Sequence, residues 1–230
     1  APAGGWPVLA WAHGTVGLAD QCTPSMNPRS QRDQDYLNHW LNQGYAIVAS
    51  DYAGMGTEGL MSYLNGKSTA ANVVDSVIAA QDLPAVKQGG QKISRNWAVI
   101  GQSQGGGAAL HVALRATERS QQTNLNFLGT VATGAPAYVE EIVLAGSPTF
   151  PPVPLPAGLN TYAMYIVAAF REANPNVDVD SALTDEGKRM VKAAEDSCYP
   201  ELSEALKGTN VARAFSKPLR EVPGLEPALR

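Results

Sequence analysis

The sequence predicts an α/β fold, a mostly parallel sheet with helices on both faces, followed by a helical second part. Three observations carry this. Strand-length apolar stretches alternate with helix-length amphipathic stretches over residues 1–135. The strand-like stretches are continuous apolar runs, as expected of strands buried on both faces. The third of them ends in Gly101-Gln102-Ser103-Gln104-Gly105 and runs directly into a small-residue helix.

The first strand is PVLAWAH, residues 7–13, and it ends in His-Gly-Thr. DQDYLNHWLNQG then places Tyr36, Leu37, Trp40 and Leu41 at helical spacing, with Gly44 as the stop. YAIVASD, residues 45–51, is the second strand, and the Gly-rich loop DYAGMGTEG follows it. STAANVVDSVIAAQDL reads as a helix capped by Ser68 or Thr69 and ending near Pro84. NWAVIGQ is the third strand, the helix after Ser103 runs to about Thr117, and FLGTVATGA is the fourth strand. His13, Asp51, Ser103 and Thr133 therefore all fall at carboxyl ends of strands, where open parallel sheets bind ligands.

The character changes after Pro136. Residues 1–135 hold 16 charged side chains, whereas the shorter stretch 136–230 holds 22 and offers no convincing strand. The proline-rich SPTFPPVPLPAG reads as a stiff connector. Beyond it lie helical patterns, so residues 1–135 are expected to form a core and 136–230 a helical cap.

With 44% hydrophobic and 17% charged residues, the 230-residue chain is globular. A net charge of −4 gives no electrostatic case for nucleic acid. The apolar run over residues 162–170 is far too short for a membrane span, so no stable membrane anchor is expected. The start at Ala1, without Met or a leader, reads as a processed product. Cys22 and Cys198 are read as one long-range disulfide of a secreted protein, the alternative being two unrelated thiols. Three histidines and no Cys/His cluster give no metal site, and no cofactor is implied.

The Gly101–Gly105 stretch fits G-x-S-x-G, in which a serine sits on a tight strand-to-helix turn and side chains at the flanking glycines would collide with their neighbours. Gly105, Gly106, Gly107, Ala108 and Ala109 let the helix lie close to the sheet. His13-Gly14-Thr15 follows an upstream strand. Such a loop can aim a main-chain N–H at a developing oxyanion, paired with the N–H of the residue after the serine. The candidate donors are Thr15 and Gln104, with Gly14 allowing the close approach.

Three stretches, AWAHGTVGLADQCTPS, GYAIVASDYAGMGTEG and VIGQSQGGGAAL, resemble the bacterial members of the secretory lipase family, the α/β-hydrolase group that includes fungal lipase A enzymes. The resemblance covers residues 7–135 and thins through the cap, where DSCYPEL is its best echo. It implies an α/β-hydrolase with an inserted helical lid, Ser103 as nucleophile, an oxyanion hole near Thr15 and Gln104, and hydrolysis of small-molecule or lipid carboxylic esters. It also implies an Asp and then a His on late strands after the lid. The sequence reaches Arg230 without them, so the late core strands read as missing, as do strands before Pro7.

Three readings of Ser103 follow. The Asp and His come from a second polypeptide segment beyond Arg230, an upstream histidine substitutes, or the serine is baseless in a non-catalytic ester-binding module. His111 lies two helical turns beyond Ser103, about 12 Å along the axis, too far for a base. His39 packs or faces solvent, and His13 suits the structure of the oxyanion loop better than proton transfer. His13, Asp51 and Tyr52 remain pocket candidates, with Asp51 and Tyr52 bracing its floor. In the cap, Tyr162 and Tyr165 belong to an apolar stripe that lines an acyl-chain tunnel, packs the cap's own core, or does both.

Overall fold

The computed structural model describes residues 1–88, 92–151 and 156–229. Residues 152–155, the centre of the proline-rich connector, lie outside the described residues. The chain forms two compact units. The first comprises Ala1–Thr15, Pro24–Tyr52 and Leu64–Pro136; the second comprises Val16–Thr23, Ala53–Tyr63 and Ala137–Arg230.

In the first unit, β1 (Trp6–Ala12), α1 (Gln31–Asn42), β2 (Ala46–Ala49), α2 (Gly66–Gln81), the single turn α3 (Pro84–Lys87), β3 (Ile93–Gln102), α4 (Gln104–Thr123) and β4 (Asn126–Thr133) follow in order. The strands form one sheet in the order β2-β1-β3-β4, and every pairing is parallel. On one face Leu9, Trp11 and Ile100 pack with Leu37 of α1. On the other, Val8, Trp97 and Val99 are buried, as are Val73, Val74 and Val77 of α2 and Ala109 and Val112 of α4. Each fully buried valine contributes about 1.5–3 kcal/mol of apolar transfer.

The ends of the helices follow local chemistry. Ser30 caps α1 by accepting the Asp33 N–H at 3.2 Å, and Gly44 at φ +86° takes the left-handed turn after it. The cap of α2 is Asn65 and not Ser68 or Thr69, because the Asn65 Oδ1 accepts the Ser68 N–H at 3.0 Å. Starting there places Gly66 under the His111 ring of α4, where a Cβ would lie 2.0 Å from the imidazole. Helix α4 continues past the expected end near Thr117 to Thr123. No Gly or Pro interrupts residues 108–123, Arg119 pairs with Asp75 of α2 at 2.5 Å, and Asn124 at φ +55° ends the helix.

Strand β4 is an edge. Its register against β3 slips between the Trp97–Phe127 and Ala98–Gly129 pairs, a bulge at Leu128. Val131 pairs with Ile100 and so faces the α1 side of the sheet, whereas the Thr130 hydroxyl reaches the Ala109 carbonyl of α4 on the other side. Leu128 and Val131 are exposed, and so are Leu110 and Leu114 on α4.

The second unit contains α5 (Val139–Leu144), α6 (Ala157–Ala173), α7 (Asp185–Asp196), α8 (Tyr199–Ala205) and α9 (Leu225–Leu229). Met164, Tyr165 and Ala168 of α6 are buried together with Val191 and Ala194 of α7 and Leu202 of α8. Arg171 of α6 reaches Asp180 at 3.0 Å and also pairs with Glu195 of α7. The loop Val16–Thr23 is fastened to the junction of α7 and α8. The Cys22–Cys198 disulfide closes over a sequence separation of 176, the Tyr199 N–H donates to the Val16 carbonyl at 2.8 Å, and Gly17 bridges Cys198.

Candidate active site

Ser103 occupies the turn between β3 and α4 with φ +57°, a left-handed backbone that costs a non-glycine residue about 1–2 kcal/mol. The strain is held from both sides. The Ser103 N–H donates to the Thr133 carbonyl at the end of β4 (2.9 Å), and the Ser103 carbonyl accepts the Gly107 N–H (3.1 Å). The flanking glycines are required by close approach. A Cβ on Gly101 would lie 2.1 Å from the Gly105 carbonyl oxygen, and a Cβ on Gly105 would lie 1.9 Å from the Ala12 carbonyl oxygen. The serine itself is partly exposed at the carboxyl end of the sheet.

The loop after β1 lies against this turn. A Cβ on Gly14 would sit 3.4 Å from the Gln102 carbonyl oxygen and 3.8 Å from the Ser103 Cβ. Gln104 is buried and is the first residue of α4, so its N–H belongs to the amino end of a 20-residue helix. Such an end favours negative charge. Gly14, Thr15, Ser103 and Gln104 all lie in the first unit.

His13 is buried behind this loop. Its Nδ1–H donates to the Gly14 carbonyl at 2.7 Å, and its Nε2 lies 3.4 Å from the Asp51 carbonyl oxygen. The ring stacks on Tyr52 with centroids 4.3 Å apart. Burial pulls its pKa below the ordinary 6.5, against the opposing pull of Gly14 and Asp51, so the imidazole is neutral at pH 7. Tyr52 is buried at φ +66°, its hydroxyl donates to the His13 carbonyl at 3.1 Å, and burial holds the phenol well above its usual range. Asp51 turns its carboxylate away to accept the Ser25 N–H at 2.8 Å. His39 is exposed on α1 against Trp40, and His111 packs on Gly66.

In the second unit, Tyr162 is half-buried and stacks on Tyr199 at 5.4 Å. Tyr165 is fully buried, contacts Tyr63, and donates its hydroxyl to the Ser197 carbonyl at 3.1 Å. Ser50 carried no signal in the sequence, and Thr133 was marked only by its place at the end of a strand. The Ser50 Oγ accepts the Tyr52 N–H at 3.0 Å, and the Thr133 carbonyl anchors the Ser103 N–H. Both act through short bonds across a turn or a strand pair that leave no residue pattern.

The sequence profile of the secretory lipases matches residues 24–212. The chain belongs to the secretory lipase family. No curated protein matches it. Among solved structures, a protein from Legionella pneumophila described as a hydrolase is 19% identical with a TM-score of 0.74, over 99% of this chain and 58% of its own. Candida antarctica lipase A in its closed state is 19% identical with a TM-score of 0.66, over 97% of this chain and 51% of its own. The rice cell wall degrading esterase LipA from Xanthomonas oryzae is 20% identical with a TM-score of 0.69, over 93% and 57%. At these identities the likeness establishes the α/β-hydrolase fold for this secretory lipase family member. The chain spans between half and three-fifths of the length of these structures.

Proposed function

We propose that this chain is the nucleophile-bearing part of a secreted serine hydrolase that cleaves carboxylic esters, including lipid esters. The observation that carries the reading is Ser103 at φ +57° on the turn from β3 to α4, with the Gly14 loop against it. Secretion is supported by the disulfide and by the family.

In this reading the Ser103 Oγ attacks the ester carbonyl. The N–H groups of Thr15 and Gln104 hold the tetrahedral oxyanion, whose collapse expels the alcohol, protonated by the group that took the Ser103 proton, and leaves acyl-Ser103, which water then hydrolyses. Losing one such donor typically costs about 3 kcal/mol of barrier. The proton acceptor is a His, oriented by an Asp, on a further polypeptide segment. The open edge of β4, with exposed Leu128 and Val131 on the strand and exposed Leu110 and Leu114 on α4 beside it, is where that segment pairs. A strand seated there is flanked by apolar side chains and completes the β4 ladder.

The engagement of His13 with Gly14 and Tyr52 favours one second reading, a non-catalytic ester- or lipid-binding module. Labelling the complete protein with an alkyl organophosphonate separates the two. The hydrolase incorporates one equivalent at Ser103 and loses it in Ser103→Ala. A binding module turns over no ester and takes up no covalent label, and equal labelling of Ser103→Ala removes Ser103 as the nucleophile.

A further inference from the structure

Two successive peptide groups lead from β1 into the loop beside Ser103, and each has its carbonyl held by a different side chain. The His13 carbonyl accepts the Tyr52 hydroxyl at 3.1 Å. The Gly14 carbonyl accepts the His13 Nδ1–H at 2.7 Å. A peptide group is planar and trans, so fixing the direction of its C=O fixes the opposite direction of its N–H. The N–H opposite the Gly14 carbonyl is that of Thr15. The imidazole is in turn held by the Tyr52 ring, with centroids 4.3 Å apart and planes at 29°.

Tyr52 is an unusual residue for this position. It is bulky, it has φ +66°, and its side chain is buried. Left-handed backbone of this kind persists only where surrounding contacts over-determine it. Here the Ser50 Oγ accepts the Tyr52 N–H, while the ring and hydroxyl are both spent on His13. The turn has a geometric consequence. It allows consecutive residues to address one histidine, with the Asp51 carbonyl 3.4 Å from Nε2 and the Tyr52 ring on the imidazole face. An extended residue here would send the side chain elsewhere. Loop 53–63, which follows, belongs to the other unit, so the brace lies wholly within the first.

We propose that Tyr52 is a positioning residue for the oxyanion hole, directing the Gly14 N–H through the His13 carbonyl and the Thr15 N–H through the His13 imidazole. The proposal rests on the serine-hydrolase reading above. Tyr52 is buried, and in this proposal it acts through the main chain of the oxyanion loop. It acts on kcat because the donor must point where charge appears in the transition state, not where the ester rests in the ground state.

The test uses Tyr52→Phe, which keeps the buried ring and the stack but removes the hydroxyl bond, and Ser50→Ala, which releases the turn from its other side. In the complete enzyme, Tyr52→Phe is expected to lower kcat by about 3- to 10-fold, the worth of one ordinary hydrogen bond, with KM unchanged. Phosphonate labelling of Ser103 slows in parallel, and amide hydrogen exchange quickens in the peptide covering residues 12–16. Ser50→Ala moves all three in the same direction by less. A merely structural Tyr52 would lower the melting temperature while leaving kcat of the folded fraction at wild-type level, and that result overturns the proposal. Should Tyr52→Phe fail to fold, Ser50→Ala with unchanged kcat and unchanged exchange at 12–16 overturns it equally. Labelling that survives in Ser103→Ala points instead to failure of the underlying reading.

Discussion

Substituting alanine at Gly105, Gly106 and Gly107 in turn should damage this protein in steep order. All three are in the first turn of α4, so the added methyl is chemically the same at each. What differs is the space it meets. A Cβ at Gly105 would lie 1.9 Å from the Ala12 carbonyl oxygen and 2.7 Å from that of His13; at Gly106, 2.8 Å from the Thr133 carbonyl oxygen; at Gly107, 3.7 Å from the Pro136 Cδ. Carbon atoms of this kind essentially never approach closer than 3.0 Å, so Gly105→Ala must push the start of α4 about 1.1 Å from the end of β1, both obstacles being backbone. That motion separates Gln104 from Thr15, the two candidate donors. A misplacement of about 1 Å costs on the order of 100-fold in rate, and overpacking costs a further 1–3 kcal/mol of stability. Gly106→Ala needs only about 0.2 Å and should lose a few-fold in kcat, whereas Gly107→Ala is in ordinary contact and gains up to about 1 kcal/mol of helix propensity. Urea unfolding and steady-state hydrolysis of a p-nitrophenyl ester by the complete enzyme give both readouts. If Gly107→Ala is as damaging as Gly105→Ala, or if Gly105→Ala keeps wild-type kcat, close backbone approach is not what sets the geometry of this turn.

His13 is held below its ordinary pKa of 6.5 chiefly by burial, so the unfolded state binds more protons once the pH drops under that value. Its contribution to stability is complete above pH 6.5 and is lost as the pH falls toward the lowered folded value. Urea melts of wild type should therefore weaken below pH 6.5 more steeply than those of His13→Gln, and parallel pH profiles would contradict this. The Cys22–Cys198 bridge closes a loop of 176 residues, worth about 5 kcal/mol in the chain-entropy model. Reduction, or Cys22→Ala with Cys198→Ala, should lower unfolding stability by about 2–5 kcal/mol, and an unchanged urea midpoint would show that the reduced chain is already constrained by other means.

The sheet was legible in the sequence because its strands are apolar on both faces. Val8, Trp97 and Val99 turn to one helical layer, and Leu9, Trp11 and Ile100 to the other. The turn at Ser103 was legible for a related reason, since Gly101 and Gly105 stand where no other side chain fits. What did not show depends on choices between equivalent local options. Asn65, Ser68 and Thr69 are all competent caps, and the ring of His111 over Gly66, a tertiary contact, favours the earliest. The bulge at Leu128 leaves no mark beyond a glycine after it. Tyr52 hides its role because a bulky residue gives no hint of left-handed backbone; the stack on His13 and the bonds to the His13 carbonyl and the Ser50 Oγ hold that conformation. The assignment of loops 16–23 and 53–63 to the second unit was likewise invisible to composition, although the cysteine pair pointed toward it.

The anchoring of Ser103 bears on where the base of the proposed hydrolase would enter. Its N–H is bonded to the Thr133 carbonyl, so the nucleophile turn and the end of β4 are fastened together. Strands in a sheet lie about 4.8 Å apart, and a parallel strand added to β4 would be two strands, or about 10 Å, from β3. Parallel addition brings its carboxyl end to the same rim as Ser103. In the proposed reading a histidine in the loop leaving that strand spans the remaining gap with the loop and its own side chain, whereas a strand added outside β2 would be three strands, or about 14 Å, from β3. Leu110, Leu114, Leu128 and Val131 are exposed on the β4 side of the sheet. Proximity to the nucleophile and unburied apolar area thus select the same edge of the sheet.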